Sequence, residues 1–198
     1  MKLNYKYAIG THVMFYEIDM IGEFVDSIIK AVDGIENPND ITLDFLFNMS
    51  EYFESIDVNQ IKHHELVNRF KGEMSKLENA GMIVNDKIYR DDKPYTMADH
   101  RRDLNYNYCM DNDYIIWGES DCIFPKEIFS SLEQIKDYAN QNNIHRFITT
   151  FAVRKMWDES WRILEHPKFT NEKYYDMDTE EDTRLATTLP HSIRYTMS

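Results

Sequence analysis

Cysteine is scarce: the chain carries two, Cys109 and Cys122, in 198 residues. Two thiols cannot build a disulfide framework, and neither sits in a CxxC metal spacing. Reduced thiols and a cytoplasmic setting are the expectation. Long apolar runs are also missing. No segment of the sequence approaches the ~18 apolar residues that a membrane-spanning helix needs, so no membrane span is expected. The opening residues, MKLNYKYAIGTHVMFYEID, lack the apolar stretch and small-residue cleavage site of a secretory signal. Positive charge is short: 22 Lys and Arg stand against 35 Asp and Glu, a formal net charge of −13. Such a surface repels phosphate backbones, which argues against nucleic acid as a partner. It argues equally against electrostatic docking on anionic lipid. A small phosphorylated ligand stays open, because a bound cation reverses the local field. No repeat, low-complexity stretch or linker interrupts the chain, so residues 1–198 are expected to form a single domain.

What is present is an ordinary core composition. Hydrophobic residues make up 42%, which excludes wholesale disorder. Aromatics reach 14%, with 13 Tyr, 11 Phe and 3 Trp, enough to fill a core and line a groove. Residues 5–13 read as a buried strand. Residues 16–33 turn helical, with Ile18, Ile21, Val25, Ile28 and Val32 at three- and four-residue spacing. GIENPND is a turn, and ITLDFLFN (41–48) a second strand. Residues 58–78 form another amphipathic helix, with Leu66, Val67, Phe70, Met74 and Leu77 on one face, ending near Asn79 to Gly81. MIVNDKIYR reads as hairpin-like. A helix over 95–110, a strand over 113–118 and a helix opening at Pro125 and running to about 141 follow. IHRFITTFAVRKM (144–156) reads as a strand, and 179–189 as a final short helix. Strands alternating with helices predict an α/β fold with a mostly parallel central sheet flanked by helices. Ligands in such sheets sit at the carboxyl ends of strands. The polar candidates there are Thr11-His12, Asn48-Met49-Ser50 and Glu119-Ser120-Asp121.

The sharpest pattern is DYIIWGESDCIFP. An apolar strand runs directly into two carboxylates two residues apart, with Pro125 shortly after. At a strand end, that spacing can bring both carboxylates to one hard cation. Oxygen ligands suit Mg²⁺ or Mn²⁺, which bridge substrate phosphates. The alternative is a polar strand-to-helix turn in which Ser120 or Asp121 caps the helix.

With these residues in place, the chain resembles the inverting glycosyltransferases of GT-A fold, the family-2-like enzymes. AIGTHV followed by an amphipathic helix resembles the family's first strand and helix. FLFNMSEYFESID places Asn48 and Ser50 as its second strand does. ADHRRDLNYNYCMDNDYIIWGESD resembles its Arg- and Asn-bearing helix, strand and DxD metal motif, and TEEDTRLATTL offers its Glu-Asp pair. The motif here is Glu-Ser-Asp, the Arg and Asn of RRDLN stand about one residue out of the usual register, and Phe47 stands where many members place a base-reading Asp. The resemblance implies a GT-A, Rossmann-like nucleotide-binding sheet, a nucleotide-diphosphate sugar donor, a hydroxyl acceptor such as a saccharide, and Mn²⁺ or Mg²⁺. It assigns Asp121 to the metal, Glu119 to the metal or the donor ribose, and His191 to completing the metal shell. Thr11, His12 and Asn48 line the nucleoside pocket, Arg101 and Arg102 meet phosphate, and Asp182, beside Glu181, is the base.

Each assignment has a plainer counterpart. His12 also reads as a strand-end histidine packed or hydrogen-bonded in place. Arg101 and Arg102 can pair with Asp99 or Asp103 on a solvated helix. Glu181 and Asp182 suit a helix N-terminus, and His191 suits an ordinary surface. His63, His64 and Glu65 are adjacent on a helix, point different ways and read as solvent-facing. Trp157 and Trp161 suit either an acceptor platform or a core. Two other functions fit less of the sequence. A sugar nucleotidyltransferase needs a Gly-rich loop after the first strand, and AIGTHVMFYE has none. A GT-A-like domain that binds without turnover is the non-enzymatic alternative.

Overall fold

The computed structural model describes residues 1–50, 63–91 and 93–150. The chain divides into two units, Met1–Lys136 and Asp137–Ser198. Among the described residues the first holds four strands, β1 (Tyr7–Met14), β2 (Ile41–Asn48), β3 (Ile83–Tyr89) and β4 (Tyr114–Gly118). They form one sheet in the order β3-β2-β1-β4, and every pairing is parallel. Helices α1 (Ile21–Val32), α2 (His63–Asn79) and α3 (Met97–Tyr108) lie between successive strands, and α4 (Ile128–Gln141) follows β4. The expected α/β architecture, a parallel sheet flanked by helices, is what the chain adopts. Of the second unit the described residues are 137–150, the end of α4 and a stretch over 144–150 without regular structure. No helix among the described residues is long and apolar enough to cross a membrane.

β1 is central and buried along its whole length, which is why its sequence runs apolar rather than alternating. Alternation of side chains gives the sheet two unlike faces. On one face, Phe24 of α1 stacks on Phe45 of β2 at 6.0 Å, and Phe70 of α2 stacks on Phe47 at 4.9 Å. Phe129 of α4 meets Tyr7 of β1 edge-on at 5.2 Å on that same face. Each such ring contributes about 1.5–3 kcal/mol by leaving water. The other face carries Gly10, His12, Asp44 and Asn48 beneath α3. Gly10 permits the close approach, since a Cβ there would lie 2.4 Å from Leu104 Cδ2.

Local chemistry sets the helix ends. The α1 residues Ile21, Phe24, Val25, Ile28, Ala31 and Val32 are buried at helical spacing, and Gly34, at φ +78°, turns the chain back. Thr96 caps α3: its hydroxyl accepts from Asp99 N at 3.2 Å, and the Asp99 carboxylate accepts from Thr96 N at 2.9 Å.

Several boundaries differ from the sequence reading. β1 continues to Met14, so Thr11 and His12 lie inside the strand rather than at its end. The helix expected from residue 16 begins at Ile21, after a 3-10 turn over Phe15–Glu17. MIVNDKIYR is no hairpin: it contains β3, paired in parallel with β2. Its half-exposed alternation is that of an edge strand, which reads like one hairpin arm when the partner is remote in sequence. Pro125 closes a turn whose carbonyl accepts from Ile128 N at 3.1 Å, and the helix starts there. Residues 144–150 are not a strand. The remainder of that expected strand and the helix over 179–189 lie outside the described residues.

Candidate active site

The chain lays down β1, β2 and β3 in one direction and then crosses to place β4 on the far side of β1. The carboxyl ends of β1 and β4 therefore flank the switch point, where open parallel sheets take ligands. Two acidic segments meet there. The turn after β1 supplies Glu17, and the turn after β4 supplies Glu119, Ser120, Asp121 and Cys122. Glu17 Oε2 accepts from Met14 N at 2.9 Å and from the Ser120 hydroxyl at 2.8 Å. Cys122 N donates to Glu119 O at 3.1 Å and closes the second turn.

Ligating atoms of Glu119, Asp121 and Cys122 lie within 4.8 Å of one another. Asp121 and Cys122 are buried, and Glu119 is partly exposed. The Cys122 thiol donates to Asp121 Oδ1 at 3.4 Å and to Glu119 Oε2 at 3.8 Å. Burial lifts the Glu17 carboxyl above the usual range; its two hydrogen bonds oppose this, while the charges of Asp121 and Glu119 add to it. Crowded carboxylates of this kind are what a bound cation relieves. Gly118 lets β4 end where it does, because a Cβ there would lie 2.6 Å from Thr11 Oγ1 and 3.1 Å from Phe24 Cζ.

α3 brings one arginine to this cluster. Arg101 Nη2 donates to Glu119 Oε1 at 3.1 Å, and its guanidinium lies 5.3 Å from the centre of the Trp117 ring. Arg102 does not reach the cluster. It pairs with Asp99 at 2.6 Å and is largely exposed.

His12 and Asn48 are brought together beside β1 and β2. The Asn48 amide donates to His12 Nε2 at 3.0 Å and to the Tyr95 carbonyl at 2.8 Å. Burial, then the nearby His100, lowers the His12 pKa to about 4, so the ring is neutral and accepts. Next to this pair lies Asp44, a carboxylate at 3% exposure. It accepts from His100 Nε2 at 3.2 Å, Tyr108 OH at 2.9 Å and Lys87 Nζ at 3.2 Å. Burial raises its pKa, but these three donors outweigh burial and hold it below the ordinary value. Thr11 stands apart: its side chain is fully buried on the α1 face, and its Oγ1 makes no hydrogen bond.

Glu181, Asp182, His191, Trp157 and Trp161 lie outside the described residues. Glu17, Asp44, His100 and Trp117 were not singled out from sequence. Asp44 had a signal, a lone carboxylate inside the apolar run ITLDFLFN, since a buried charge demands partners. Glu17 had none, because its partner Ser120 is 103 residues away.

No family model and no curated protein matches the chain. Among solved structures it is similar to N,N'-diacetylchitobiose deacetylase from Pyrococcus horikoshii, at 17% identity and a TM-score of 0.33. The match covers 57% of this chain and 40% of that one. A likeness of that extent says nothing of substrate or chemistry.

Proposed function

We propose that this chain is a metal-dependent glycosyltransferase, moving a sugar from a nucleotide-diphosphate donor to a hydroxyl acceptor with inversion. The observation that supports this reading is the convergence of Glu17, Glu119 and Asp121 at the crevice between the ends of β1 and β4, with Arg101 paired to Glu119. The donor set fits Mn²⁺ or Mg²⁺. Glu119 and Asp121 offer hard carboxylate oxygens. Cys122 is a soft ligand already donating its proton to both carboxylates, so it adds no case for a softer metal.

Bound there, the ion supplies neutralisation of the charge that builds on the departing diphosphate. Glu119 and Asp121 would hold it, and Glu17 fixes Ser120 and so the turn that carries them. Arg101 contributes a planar donor fork at the same place. In the transfer, the acceptor oxygen bonds to the anomeric carbon, and the bond from that carbon to the diphosphate oxygen breaks with its electron pair. The acceptor proton passes to a carboxylate base, which the family resemblance assigns to Asp182 with Glu181 beside it. The nucleoside would lie toward His12 and Asn48, on the β2 side of β1.

Calorimetric titration with UDP and GDP, with and without Mn²⁺, tests the reading on wild type and Asp121→Asn. Binding that requires the cation and weakens by roughly tenfold or more in the variant is expected, on the scale of one lost charged contact. Equal binding in the variant would remove the metal assignment. No nucleotide binding under either condition would leave a domain without a donor site.

A further inference from the structure

A groove opens between α3 and the end of β4, lined by Met97, Ala98, Arg101, Arg102, Asn105 and Trp117. Trp117, one residue before the end of β4, is 51% exposed. Its ring is nevertheless fixed. Nε1 donates to Asn105 Oδ1 at 3.2 Å, and the Arg101 guanidinium stands 5.3 Å from the ring centre. Arg101 is held in turn by Glu119. One side chain thus ties the platform to the acidic cluster. Beside it, the Arg102 side chain is 73% exposed and paired with Asp99, a surface ion pair of small worth that a ligand can displace.

We propose that this groove seats a pyranose ring of the acceptor, with Trp117 as the stacking platform and Arg102 as the hydrogen-bond donor to its hydroxyls. The inference rests on the transferase reading and names the acceptor class for that site. A pyranose offers a C–H face and a rim of hydroxyl oxygens. Recognition needs a flat apolar surface and a few convergent polar groups. An indole pinned at both nitrogen and face loses little freedom when a ring settles on it. Arg102 supplies five N–H donors in a fixed fork. Position separates acceptor from donor. His12 and Asn48 lie on the β2 side of the crevice between β1 and β4, whereas Trp117 lies on β4 itself. A donor reaching from the first pair to the acidic turn leaves the β4 side for the second substrate.

The test is saturation-transfer NMR on the full chain, without nucleotide or divalent cation, using methyl glucoside, methyl N-acetylglucosaminide and uridine. A glycoside is expected to bind in the millimolar range. Trp117→Ala should weaken it roughly three- to tenfold, the scale of one aromatic contact, and Arg102→Gln should weaken it in the same direction. Both side chains are exposed, and unchanged thermal melts would show that the fold is kept. Absence of glycoside binding, or equal binding in Trp117→Ala, overturns the proposal. So does uridine binding that Trp117→Ala abolishes, because the groove would then belong to the donor. These readings need neither the cation nor a nucleotide, so their failure is distinct from failure of the donor titration.

Discussion

His12 shows how far a buried polar side chain departs from its solution behaviour. Its pKa falls from 6.5 to about 4, through burial first and His100 second, while the Tyr95 carbonyl and Asp99 oppose the shift. The folded chain therefore binds this proton at lower pH than the unfolded chain does. The neutral ring's contribution is whole above pH 6.5, drains away between pH 6.5 and about 4, and is lost below that. At its limit it is on the order of 3 kcal/mol. His12→Gln keeps an acceptor for the Asn48 amide and cannot titrate. The wild-type Tm should fall more steeply than the variant's as pH drops through this window; parallel curves would mean that His12 titrates normally. The glutamine should also show little loss at neutral pH, since the Asn48 contact survives. At this scale the sequence revealed types but not pairings. His12 and Asn48 were legible as polar residues on neighbouring strands, and the register Met14↔Asn48 brings them within reach. Glu17 was hidden, because a carboxylate in an apparent first helical turn has a local explanation that masks its bond to Ser120.

Element by element, legibility followed how local the determining forces are. β2 matched its expected residues 41–48 because a mainly apolar run between turn residues leaves few alternatives. α3 was legible as a helix over 95–110, and its start is set locally, by the capping pair Thr96 and Asp99 acting over three residues. β3 was misread because its alternation fits any half-exposed strand, and its parallel partner is fixed by a crossover through α2. What positions α3 is also non-local. It rests on Gly10 through Leu104, and it is tied to Asp44 at two points, His100 and Tyr108. Gly10→Ala would drive a methyl against Leu104, a buried side chain with little room to yield. The expected destabilisation is about 1–3 kcal/mol, the usual scale of overpacking. Shortening the opposing side chain in Gly10→Ala/Leu104→Ala should recover part of what the two single changes lose additively. Denaturant melts of the four proteins measure that coupling, and strict additivity would show that α3 does not rest on β1 at this point.

For the whole molecule, a net charge of −13 favours any cation, bound or diffuse. Thermal stabilisation by a divalent metal is therefore ambiguous until two contributions are separated. Diffuse screening acts on all exposed charge, depends on ionic strength and should be nearly blind to one substitution. A bound ion acts by mass action at one place. At a hundred times its Kd it adds about 2.7 kcal/mol, which for a chain of this size is roughly 5–10 °C in Tm. Melting wild type and Asp121→Asn in NaCl and in MnCl₂ at matched ionic strength distinguishes them. NaCl should raise both proteins alike. MnCl₂ should add a further rise to wild type alone, because Asp121 supplies part of the oxygen set beside Glu119. If MnCl₂ and NaCl shift both proteins equally, the acidic turn after β4 binds no divalent ion. The crevice between β1 and β4 would then need another source of positive charge to hold a diphosphate, and Arg101, already paired with Glu119, is a single guanidinium.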